Sequence, residues 1–101
     1  MAVYEITYDI NAYARFRIAA HTEEEAEDIA EALISSEFAK TIIREAASGL
    51  SDTPWIEVGY CEEVDSTQGP TVTTARIGEL IGADTLSEIV ESHWYEWGDE
   101  D

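Results

Sequence analysis

From Val3 to Ile10 the chain alternates without a break, with Tyr4, Ile6, Tyr8 and Ile10 on one side and Val3, Glu5, Thr7 and Asp9 on the other. Side chains on a strand repeat every two residues, so this pattern predicts a half-buried β-strand. It restarts at Tyr13 and runs to Ala20, placing Ala14, Phe16, Ile18 and Ala20 on one side and Tyr13, Arg15 and Arg17 on the other. Asn11 and Ala12 between the two runs read as a hairpin connection. Matching the apolar faces puts Arg15 and Arg17 on the side of Glu5 and Asp9, where opposite charges across strands each contribute about 0.2–1 kcal/mol.

The period then changes. In Thr22 to Ile34, TEEEAEDIAEALI, a helical wheel gathers Ala26, Ile29, Ala30, Leu33 and Ile34 on one arc and Glu23, Glu24, Glu27, Asp28 and Glu31 on the other. Thr22 with Glu25 is a capping box: the threonine oxygen accepts from the Glu25 amide and the glutamate reaches back to the Thr22 N–H. Ser35 and Ser36 mark a break. Glu37 to Ala47 carries Phe38, Ile42, Ile43, Ala46 and Ala47 at helical spacing, with Gly49 as its stop. Trp55 to Cys61 is strand-like, and Ile56, Val58 and Tyr60 are its better core face.

Glu62 to Pro70 is polar and ends in a Gly-Pro breaker, which predicts an exposed loop, and the β-branched run Thr71 to Thr74 predicts a short edge strand. Ala75 to Ile81 has a helical pattern closed by Gly82. Thr85 and Glu88 form a second capping box, opening a helix that reaches about Trp97. On its wheel Leu86, Ile89, Val90, His93 and Trp97 share a face, while Glu88, Glu91 and Tyr95 point away. The expected fold is α+β in a single domain, residues 1–101. A small, mainly antiparallel sheet, the hairpin plus a third strand, is packed by two helices of the N-terminal half and joined by a C-terminal helix.

Composition adds one anomaly. At 45% hydrophobic and 10% aromatic the chain has enough apolar content to fold, yet 23 Asp and Glu stand against 5 Lys and Arg, a net charge of −18. A field of that sign repels nucleic acid and anionic membranes and speeds encounter with basic partners. The opening MAVYEITYDI lacks a basic region followed by an apolar run, and no stretch approaches the roughly 18 apolar residues of a membrane span. With Cys61 as the single cysteine, the reading is a soluble protein of a reducing cytoplasm, the host cell's if a phage encodes it.

No catalytic signature stands in the chain, so no enzyme activity, catalytic residue, cofactor or metal is expected. His21 and His93 belong to no His-x-x-x-His or Cys/His pattern; His93 reads as a core histidine with one hydrogen bond and His21 as a packing or capping residue. Cys61 reads as a structural thiol. The acids at Glu62, Glu63 and Asp65, and at Glu96, Asp99, Glu100 and Asp101, lack the spacing of a calcium-binding loop. Thr74 to Val90 has the outline of a helix-turn-helix, but Gly82, Ala83 and Asp84 join its halves too tightly, and Glu88 and Glu91 replace the basic residues that phosphates require.

The acidic helix carries the functional reading. Six carboxylates between Glu23 and Glu31 span about 13 Å of axis, about one charge per 2 Å, against about one per 1.7 Å for duplex DNA. Ordinary solvated faces interleave signs for i,i+4 support, and here no lysine or arginine intervenes. The expected partner-binding residues are Glu23, Glu24, Glu27, Asp28, Glu31, Glu62, Glu63, Asp65, Glu88, Glu91 and Tyr95. Their expected partner is a basic host protein or ribonucleoprotein complex, with no direct binding of nucleic acid and no membrane. Two alternatives accompany this reading: an ordinary small domain with a halophilic surface, and an adaptor between proteins.

The stretch from Val3-Tyr4-Glu5-Ile6 through Ala19, Ala20 and Glu24-Glu25-Ala26 resembles the β-β-α opening of small mobile-element proteins of the DpnD/PcfM type, in which a strand pair leads into a T/S-x-E-E-A helix start. The resemblance covers the first third of the chain. In size and charge the whole chain is similar to phage and plasmid inhibitors that mimic DNA, the anti-restriction and anti-CRISPR classes. That similarity implies a non-catalytic inhibitor acting on a basic nucleic-acid-binding surface of a host defence complex, and it assigns no residue.

Overall fold

A computed structural model describes residues 2–9, 13–46 and 56–94. β1 (Ala2–Asp9) and β2 (Tyr13–Ala20) form the expected hairpin, in the register that alternation requires: Tyr4 faces Ile18, Ile6 faces Phe16 and Glu5 faces Arg17. α1 (Glu23–Ile34) and α2 (Phe38–Ala46) follow, separated at Ser35 to Glu37. β3 (Glu57–Val64) pairs antiparallel with the other side of β1, giving a three-stranded sheet in the order β2-β1-β3. A short 3-10 turn (Ser66–Gln68), α3 (Thr74–Ile81) and α4 (Ala83–Ser92) complete an α+β fold. Ile10, the Asn11-Ala12 connection, Gly49, Trp55 and the helix expected beyond Trp94 lie outside the described residues.

The helices cover one face of the sheet. Tyr4, Ile6, Tyr8, Ala14 and Ile18 meet Ala26, Ile29, Ala30 and Leu33 of α1 in one buried cluster. The Tyr8 hydroxyl donates to the Ala30 carbonyl at 2.8 Å, which satisfies a phenol whose burial pushes its pKa up. Phe16 and Phe38 stack edge to face with centroids 4.8 Å apart, tying β2 to α2, while Val72 and Ile77 add the C-terminal half to the same core.

Three local expectations are corrected. β3 was expected to end at Cys61 with Tyr60 inside. Instead the strand runs to Val64, and a register shift opposite Thr7 and Tyr8 sets Ile6 against Cys61 but Tyr8 against Val58. Two residues of β1 therefore span three of β3, so Val58 and Cys61 share the helix-covered face and Tyr60 turns out, 58% exposed. The extension draws Glu62 and Glu63 out of the expected loop, because Glu5 and Tyr4 of the central strand offer them ladder partners that outweigh a weak intrinsic strand preference.

Thr71 to Thr74 is no strand. The Thr71 and Val72 amides both donate to the Arg17 carbonyl, at 2.8 and 3.1 Å, and the Arg17 amide donates to Thr71 Oγ1 at 2.8 Å. The segment thus meets the outer edge of β2 at one residue and leaves it. Thr73 then caps α3, its hydroxyl accepting from the Arg76 amide at 3.1 Å. The second capping box is also absent: α4 begins at Ala83, because Gly82 at φ +93° ends α3 and opens α4 in one residue and places Thr85 inside the first turn.

Candidate acidic interaction surface

The start of α1 sorts its carboxylates by depth. The Thr22 hydroxyl accepts from the Glu25 amide at 3.1 Å, and this cap fixes Glu25 on the same arc as Ala26 and Ile29. Its side chain is 0% exposed, and His21 Nδ1 lies 3.1 Å from each carboxylate oxygen. His21 is therefore the partner of a buried carboxylate. The six charges of the sequence become five on the surface.

Of those five, Asp28 lies 2.5 Å from Nε2 of His93 at the end of α4, so it ties the acidic helix to the C-terminal one. Glu23, Glu24, Glu27 and Glu31 remain exposed, and among the described residues none of them reaches a lysine or arginine. The cations lie elsewhere: Arg15 and Arg17 on β2, Lys40 and Arg44 on α2, and Arg76 paired with Glu79 at 3.1 Å. The effect is visible at Glu27, whose pKa is raised above the usual carboxylate range, first by partial burial and then by Glu23, Glu24, Asp28 and Glu31.

The remaining expected residues divide. Glu63 joins the surface: with Glu23, Glu24, Tyr4 and His21 it lines an open hollow of about 640 Å³, and burial followed by the nearby carboxylates raises the Tyr4 pKa. Glu62 does not, since alternation along β3 sends it to the opposite sheet face, across from Glu5, with the Tyr60 hydroxyl 3.5 Å away. The Asp65 carboxylate accepts from the Thr67 amide at 2.9 Å, which caps the 3-10 turn and lowers its pKa. Glu88 and Glu91 are exposed on α4, and Tyr95 lies outside the described residues.

No family model, curated protein or solved structure matches this chain. Function is therefore read from charge and geometry. One convergence escapes a helical wheel: the donor atoms of Glu23, Glu27 and Cys61 lie within 4.8 Å of one another, the one such set among the described residues that could share a metal. Burial pushes the Cys61 thiol up to about 12, with Glu27, Glu23 and Glu24 adding to the effect. Its environment is the reverse of one that makes a thiolate nucleophile. The bulge in β3 brings Cys61 under α1, and its local signal is Gly59, the residue left over by the shift, since a glycine inside a strand often marks a bulge.

Proposed function

We propose that this protein is a non-catalytic acidic inhibitor that binds a basic nucleic-acid-binding surface of a host defence complex, taking the place of the nucleic acid. The observation that carries this reading is the ridge of Glu23, Glu24, Glu27 and Glu31, continued by Glu63 and uncompensated by any lysine or arginine among the described residues. A groove that neutralises closely spaced phosphates meets a comparable row of fixed anions here, on a rigid helix that costs little to order. The unbroken row of carboxylates along α1, with no lysine or arginine interleaved, also weighs against an acidity that serves salt tolerance alone.

The test is competition. The protein should displace DNA from such a nuclease or surveillance complex at low and moderate salt, and the triple reversal Glu24→Lys, Glu27→Lys, Glu31→Lys should abolish displacement. Asp28 is left intact because of its contact with His93. A reversed variant that folds and still competes as well as the parent overturns the reading.

A further inference from the structure

We propose that the outer edge of β3 is a strand-addition site, whose occupant is an extended segment of the partner protein bearing lysine or arginine at alternate positions. This rests on the reading of the α1 and β3 side as the partner-binding surface, and it names the form in which the partner arrives.

The sheet order leaves two edges, β2 and β3. The β2 edge is closed at Arg17, whose amide and carbonyl both bond the Thr71–Val72 segment. Those bonds also fix the direction of the ladder. Arg17 turns its backbone groups away from β1, so in an antiparallel sheet Glu5, opposite it, turns its own toward Glu62 of β3. The neighbours of Glu62, Cys61 and Glu63, then direct their N–H and C=O groups outward. Among the described residues no backbone group meets them there. An edge of that kind is a template for a further strand.

Charge decides which strand. α1 runs alongside β3 in the opposite direction: Glu23 and Glu24 border the hollow that Glu63 lines, Glu23 and Glu27 converge on Cys61, and Glu27 and Glu31 border a 140 Å³ hollow with Val58 and Tyr60. Glu23, Glu27 and Glu31 recur every four residues, about 6 Å along a helix. Same-face side chains of a strand recur every two residues, about 6.6 Å. Three alternate cations on an added strand therefore meet the three carboxylates in turn, while its other face meets Glu62 and the exposed ring of Tyr60. A second copy of this chain is a poor occupant, because its own edge would bring Glu57, Glu62 and Glu63 against the same charges.

The test uses the full chain, isotopically labelled for amide NMR, and three synthetic peptides of alternating lysine and valine: one unmodified, one N-methylated at the valine amides and one at the lysine amides. All three carry the same charge. The unmodified peptide should bind, slow solvent exchange of the Cys61 and Glu63 amides at least tenfold, and outbind one methylated peptide by tenfold or more. Equal binding of all three with unchanged exchange at Cys61 and Glu63 overturns strand addition and leaves the acidic surface standing. Failure of every peptide to bind at low salt overturns both.

Discussion

Neutralising Glu27 should stabilise the fold while weakening the surface it presents. Glu27 has Glu23 and Glu31 four residues away on either side and Glu24 three residues before it, all on the exposed arc of α1. Like charges at these spacings each destabilise a helix by about 0.2–0.5 kcal/mol at low salt, so three pairs sum to roughly 0.6–1.5 kcal/mol. In a domain of this size that corresponds to a gain of about 2–12 °C in Tm for Glu27→Gln. Salt should erase the gain, because at 1 M the screening length falls to about 3 Å.

The pH dependence has the same sign. Glu27 has a raised pKa in the fold, so around that pKa the folded chain binds more protons than the unfolded one, and stability falls as pH rises through that window. Wild type should therefore gain stability as pH is lowered toward the Glu27 titration, and Glu27→Gln should lose that part of the response. Asp28→Asn is the control of opposite sign, since it weakens the contact with His93. Thermal unfolding followed by circular dichroism at 10 mM and 1 M salt measures all of this. A Glu27→Gln variant no more stable than wild type at low salt, or equally favoured at both salts, would refute the reasoning.

Three further outcomes are expected. His21→Ala leaves the Glu25 carboxylate buried without its ring partner and should cost roughly 2–3 kcal/mol in denaturant unfolding, most of it recovered when Glu25 is also replaced by Gln. Cys61, with its pKa pushed up to about 12 from an ordinary 9.0, should react with iodoacetamide at pH 8 about a thousandfold more slowly than the denatured chain, and stability should fall as pH rises above 9, where only the unfolded thiol ionises. Gly82→Ala forces a Cβ into φ +93° and should lower stability by about 1–3 kcal/mol, read from the denaturation midpoint at unchanged slope.

What could be read from the sequence follows from how local each cause is. β1, β2 and α1 stand where alternation, helical period and Thr22 place them, because each signal is complete within a dozen residues. β3 could not be read the same way: a bulge between Val58 and Cys61 reverses the face of everything after it, and while Gly59 hints at such a break, only pairing with β1 fixes its position. That single shift put Tyr60 outside and brought Cys61 under α1, and the strand's extension to Val64 let ordinary alternation set Glu63 and Glu62 on opposite faces. Thr71 to Thr74 and Thr85 misled for a different reason. β-branched residues serve caps and turns as well as strands, and the choice was made by Arg17 and Gly82. The acidic ridge was legible as a wheel, whereas the roles of Glu25 and Asp28 depend on His21 below the helix start and on His93, far along the chain.

The order of the strands has a consequence for how this protein is made. β1 is the middle strand, so during synthesis it gains β2 at once but waits for its second neighbour until β3 has left the ribosome. At about 5–20 residues per second that wait lasts several seconds, with the inner edge of a half-built sheet open to other nascent chains. By then α1 has already been synthesised, and its outer carboxylates give every such intermediate the same strong negative charge. Mutual repulsion between nascent chains protects that edge until β3 closes it.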